Sequence, residues 1–142
     1  MDTQNKDIVE NAQSADKFST LTTALAAAGL VSTYKGIGPF TFFAPTDEAF
    51  GKLPEGEVNR LLKDKAKLAA LLNFHVIHGA VFAKDMKARE SRSRQGESLR
   101  IAASDAGFTV NGVPLSRHEI EASNGVIHPI DTLMAMSEED HR

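Results

Sequence analysis

Thr41-Phe42-Phe43-Ala44-Pro45-Thr46-Asp47-Glu48-Ala49-Phe50 is the stretch on which the fold turns. Phe40 to Phe43 is aromatic and β-branched, as in a buried strand. Pro45 cannot donate to a ladder and holds Ala44 away from helical geometry, so the strand should stop there. Thr46 is placed to cap a short helix, with Asp47 and Glu48 in its first turn, where the helix dipole favours negative charge. Ala49, Phe50 and Leu53 carry that helix toward Pro54.

A second stretch, Asn124-Gly125-Val126-Ile127-His128-Pro129-Ile130-Asp131, begins with a dipeptide suited to positive φ and to a hairpin turn. Val126, Ile127 and Ile130 make an apolar strand, in which His128 is expected as a hydrogen-bonded interior residue. Pro129 removes a ladder donor, so strand pairing is expected to be interrupted there.

Together these stretches resemble the paired signature blocks of fasciclin-like domains: a phenylalanine-containing strand with Ala-Pro-Thr-Asp and Ala-Phe, then Asn-Gly-Val-Ile-His with Ile-Asp. The resemblance runs from about Asp7 to Met134. Gly38-Pro39 before the first block, the helix and strand of Leu68 to Gly79, and the turn Gly96-Glu97-Ser98-Leu99 agree with it. It implies an α+β fold, a wedge of two small sheets with helices packed along it. It further implies adhesion or binding without catalysis, and a chain that is exported. Met1 to Lys6 lacks the layout of a signal peptide, so the expectation is a secreted or cell-surface protein whose leader or anchor has been removed. The absence of an Asn-x-Ser/Thr sequon makes a bacterial member the easier fit.

Composition agrees with a single domain over 7–136, flanked by flexible segments 1–6 and 137–142. At 142 residues the chain can bury about 68–70% of its unfolded surface. A net charge of −3 argues against a general nucleic-acid binder, and the lack of cysteine excludes disulfides and thiolate metal sites. No stretch reaches the roughly 20 apolar residues of a membrane span. The chain is expected to be a monomer.

Helices should dominate the first half: Ile8 to Ala15; a helix with Phe18, Leu21, Leu25 and Ala28 on one face and Gly29 as its stop; Glu55 to Lys63; and a helix capped by Asp64 with Leu68, Leu71, Leu72 and His75 on one face. The second half should hold short strands: Val76 to His78 and Ala80 to Phe82 about a bend at Gly79, Ser98 to Ala102, Phe108 to Val110, Val113 to Leu115 and Ile120 to Ala122. Asn111-Gly112 is a further hairpin signal.

No nucleophile elbow, dinucleotide fingerprint or phosphate loop occurs. His75 and His78 have no third ligand in any metal-binding spacing, so no enzyme, cofactor or metal site is expected. Three candidates for binding remain. Phe74-His75 occupies the place of the family's Tyr-His motif, implicated in integrin-dependent adhesion in animal relatives. Phenylalanine here lacks the phenolic hydroxyl, and an aromatic at helical spacing also reads as core. Glu119-Ile120 aligns with an Asp-Ile element directed at integrins in some relatives, and reads equally as a strand with Glu119 and Glu121 outward. Independently of the family, Lys84, Lys87, Arg89, Arg92 and Arg94 form a basic strip, either a solvated face or a contact for an anionic partner. The expected partners are a cell-surface protein, matrix or an anionic polysaccharide; the alternative is a carrier or sensor of a small apolar ligand.

Overall fold

The computed structural model describes residues 6–53, 56–82, 89–96, 98–104, 107–115 and 119–133. Its helices are α1 (Ile8–Ser14), α2 (Ser19–Ala28), α3 (Val31–Tyr34), α4 (Asp47–Gly51), α5 (Glu57–Leu62) and α6 (Lys65–Phe74), with a 3-10 turn at Asp16–Phe18. The strands are β1 (Phe40–Pro45), β2 (Val76–His78), β3 (Arg89–Arg92), β4 (Ser98–Ser104), β5 (Gly107–Val110), β6 (Val113–Pro114), β7 (Ile120–Ala122) and β8 (Gly125–Ile130). They form two four-stranded sheets, ordered β2-β1-β8-β7 and β3-β4-β5-β6. The fold is α+β, with the helices in the N-terminal half, as the residue pattern implies.

The layers follow from burial. All six residues of β1 are buried, because the strand has packing partners on both faces. Phe40, Phe42, Ala44, Val76 and Ile127 pack with the helices, including Leu21, Leu25, Leu68 and Leu72. Phe43, Ile77 and Ile130 face the second sheet and meet Leu99, Ile101 and Val110. The first sheet therefore lies between helices and the second sheet. A strand buried on both faces needs no alternation, which is why an unbroken apolar run serves.

The signature blocks pair with each other. β1 and β8 run parallel from Phe40↔Gly125 to Pro45↔Ile130. Pairing is not interrupted at Pro129. The Thr46 amide donates to the Ile130 carbonyl (2.9 Å), so Ile130 faces β1 and Pro129, one residue earlier, faces the other side. On that side β7 pairs only with Gly125 to Ile127. Among the described residues, the missing N–H thus falls where no neighbour asks for it.

Asn124-Gly125 does lie at a hairpin, the Ser123-Asn124 turn that joins β7 to antiparallel β8, but of the two residues only Gly125 has positive φ. Asn111 (φ 52°) and Gly112 (φ 83°) both adopt positive φ and join β5 to β6, as read from sequence. Asn124 has no positive φ and is only 6% exposed. Its side-chain oxygen accepts from the Ile8 amide (2.9 Å), and its Nδ2 donates to the carbonyls of Tyr34 (2.8 Å) and Gly36 (2.7 Å). Asn124 is the tie between α1, α3, the Gly36–Pro39 loop and β8. Ala80 to Phe82 form no strand. Thr41 instead holds this segment by its hydroxyl, donating to the Gly79 carbonyl (2.6 Å) and accepting from the Val81 amide (2.9 Å).

Helix ends follow their sequence signals. Gly29 closes α2 in the left-handed conformation, and Asp64 accepts from the Lys67 amide to start α6. Thr46 caps α4 by accepting from the Ala49 amide (3.3 Å). Replacing Thr46 with Ala should lower stability by about 1 kcal/mol in urea unfolding; an unchanged midpoint would mean that the cap contributes nothing.

Candidate interaction surfaces

Phe74 and His75 lie inside the molecule, 1% and 0% exposed. Phe74 belongs to the core between the sheets. His75 ends α6, where its Nδ1–H donates to the Leu71 carbonyl (2.9 Å) and its own carbonyl accepts from the Phe43 amide (2.8 Å). In this conformation neither residue presents a surface to a partner. The physical reason is position: α6 ends against β1, and its last aromatic fills the space between the layers.

Burial depresses the His75 pKa to about 4, outweighing the opposing hydrogen bond to Leu71. The unfolded chain, with an ordinary histidine near pKa 6.5, then binds more protons than the folded one as the pH drops. The stabilisation from neutral His75 is complete above about pH 6.5 and is lost as pH falls toward 4, by roughly 3 kcal/mol in all. His128 is shifted in the same direction, chiefly by burial. Urea midpoints measured at about pH 7.5 and about pH 4.5 should fall more for the native chain than for His75→Gln. Equal pH dependence in the two would contradict this assignment.

His128 is 1% exposed; its Nε2–H donates to the Val81 carbonyl (2.8 Å), and its ring stacks on Phe43 at 5.8 Å. Its Nδ1 lies 3.8 Å from the Glu119 carboxylate, whose side chain is 21% exposed. Glu119 is thus turned largely toward the interior histidine instead of standing outward. Ile120 is half-buried and packs against the helical core.

One residue of the basic strip, Arg94, packs on aromatic rings. Lys84 and Lys87 lie outside the described residues. Arg89 and Arg92 bound β3, and the exposed Arg92 donates to the Gly96 carbonyl (2.7 Å). The Arg94 guanidinium lies over the rings of Tyr34 (5.6 Å) and Phe40 (5.4 Å), and its Nη1 is 3.4 Å from His78 Nε2. Planar guanidinium stacks well on aromatic faces, which holds Arg94 against Tyr34 and Phe40. Tyr34 is buried beneath it, bonded to the Asn73 side chain, its phenol pushed up to about 12 by desolvation.

Two features were missed from sequence. Ile37, at the tip of the Gly36–Pro39 loop, is 93% exposed. At the other end of the first sheet an open cleft of about 360 Å³ lies past the last residues of β1, β6 and β8. Pro114, Leu115 and Ile130 contribute to its apolar lining, and Asp47, Glu48, Asp131 and Lys17 supply its charge. An isoleucine between glycines, before a proline, was the available signal for the first. The second has none, because it joins residues from four separate segments. Among the described residues, no group of three or more metal-ligating side chains is assembled.

Comparison with known proteins fits this architecture. Residues 16–136 match the fasciclin domain family. The chain belongs to that family. A relative in Synechocystis, protein sll1483, is 42% identical over 129 residues, covering 89% of this fasciclin domain chain and 72% of the relative. The cell surface glycolipoprotein MPB83 of Mycobacterium bovis is 32% identical over 121 residues, covering 82% of the chain and 54% of that protein. In structure, the fasciclin domain is similar to a FAS1 domain pair from the insect cell adhesion molecule fasciclin I. The TM-score is 0.75 at 16% identity, over 96% of this chain and 53% of the pair. That likeness is one of fold. No helix among the described residues is long and apolar enough to cross a membrane.

Proposed function

We propose that this fasciclin domain is a non-catalytic adhesion or binding module, working outside the cell or at its surface. One observation carries the reading. Both histidines of the signature regions are walled into the core and bonded to backbone carbonyls, so the groups best suited to proton transfer meet no substrate. What faces solvent is a rigid scaffold's loops and edges, suited to recognition. The cell-surface relative and the bacterial source of both sequence relatives favour an exported bacterial protein.

The contact surface proposed is the basic segment from Lys84 to Arg92, without Arg94, against an anionic polysaccharide or matrix. Each exposed charge contributes weakly and is screened by salt. Surface plasmon resonance on immobilised heparin should show binding that weakens several-fold between low and moderate salt. It should weaken again in Lys84→Ala/Lys87→Ala/Arg92→Ala. Binding equal in native and triple-mutant chains would remove this segment from the contact.

A carrier of small apolar compounds is the second reading, and the cleft is the feature that suggests it. Its openness and charged rim suit it poorly to enclosing such a ligand. Thermal stabilisation by a small apolar molecule would support that reading over ours.

A further inference from the structure

Ile37 is the one large hydrophobic side chain fully exposed among the described residues. A single exposed isoleucine needs no explanation by itself. Its setting is what matters. The Gly36–Pro39 loop that carries it is fixed by the two hydrogen bonds from Asn124 to Tyr34 and Gly36. It is clamped again by the Gly79 amide, which donates to the Pro39 carbonyl (2.9 Å). Gly38 sits so close to Phe40 that a Cβ there would come within 3.0 Å of the ring. Arg94 packs on the same ring, so a positive charge lies at the corner from which the apolar tip projects. A pre-ordered apolar tip loses little entropy on docking, which is the usual obstacle for a loop.

The cleft has the opposite character. It is open, it is lined in part by Pro114, Leu115, Pro129 and Ile130, and Glu48 and Asp131 in its lining are exposed. Glu48 has no ion-pair partner among the described residues, and Asp131 has only Lys52 at 3.9 Å. β1 connects the two features. It begins three residues after Ile37 and ends at Pro45, beside the cleft. They are therefore at opposite poles of the first sheet, about 17–20 Å apart. An apolar tip cannot reach a cleft at the far end of its own strand, but it can reach that of a neighbour.

We infer that the domain associates with further copies of itself head to tail, Ile37 of one copy entering the cleft between β1, β6 and β8 of the next. The two patches differ, so the contact is heterologous and leaves a free tip at one end and a free cleft at the other. Such contacts grow into open chains instead of stopping at a pair. One contact of this size is weak, but copies displayed together on a surface would add their contacts. The chain is then not strictly the monomer expected from sequence. The inference gives the binding module proposed above a partner and rests on that reading only for its use. Self-association in solution is read whether or not the protein binds cells.

The test is sedimentation of the intact chain up to about 1 mM, the range of a weak contact. The weight-average mass of the native chain should climb with concentration and pass that of a dimer. Ile37→Asp, which changes an exposed side chain, should remain monomeric, as should Glu48→Lys/Asp131→Lys, with both variants keeping the native melting transition. Mixed in equal amounts, these variants should form dimers and nothing larger, because one supplies the only intact cleft and the other the only intact tip. A native chain that stays monomeric overturns the inference. So does a mass that levels at a dimer, an Ile37→Asp chain that associates like the native one, or a mixture that fails to pair.

Discussion

Replacing Gly125 with Val abolishes folding, or lowers stability by more than about 4 kcal/mol. Gly125 opens β8 opposite Phe40 with φ of +154°, a conformation that L residues rarely adopt. A Cβ at this position would stand 2.0 Å from the Phe40 carbonyl oxygen and 2.8 Å from its nitrogen. These are backbone atoms of a strand buried on both faces, so they cannot move aside without shifting β1 against both cores. Gly112 is the control. It also has positive φ (83°), but a Cβ there meets nothing within 4 Å. Gly112→Ala should lose only about 1 kcal/mol, the conformational part alone. Urea unfolding of Gly125→Ala beside Gly112→Ala separates the two. Similar losses would show that close approach of β8 to β1 is not what requires Gly125.

The second large effect comes from the paired phenylalanines. Phe42→Ala and Phe43→Ala should each cost about 3–5 kcal/mol. Both side chains are fully buried, Phe42 against the helices and Phe43 against the second sheet, where it stacks on His128. Neighbouring residues of a strand point to opposite faces. A strand with one solvated face would therefore make one of the two substitutions mild. Chemical denaturation of both variants reads this directly; a loss below about 1 kcal/mol for either would contradict the three-layer arrangement.

That pair marks how far the sequence could be read. The aromatic run pointed to a buried strand, and Pro45-Thr46 to its end and the following cap; both are local and both hold. Which layers cover the strand is not local information: nothing adjacent in the chain indicates a second sheet on its far side. Asn111-Gly112 behaved as its backbone preferences require. Asn124-Gly125, the same dipeptide, is instead constrained by contacts from α1, α3 and β1, none adjacent in the chain. Arg94 was grouped with its charged neighbours, whereas Tyr34 and Phe40, remote in sequence, decide where it lies. Element types were legible because they follow from local chemistry. The candidate surfaces were less so, because long-range packing chooses which side chains remain outside.

Attachment of beads coated with the intact chain reads the proposed adhesion itself. They are scored on bacterial cells and on polysaccharide-coated glass, beside beads coated with a heat-unfolded sample. As an adhesion module the folded chain should attach, with attachment that declines as salt rises and needs no added substrate or cofactor. Attachment no greater than that of the unfolded sample on every surface would contradict the proposed adhesion.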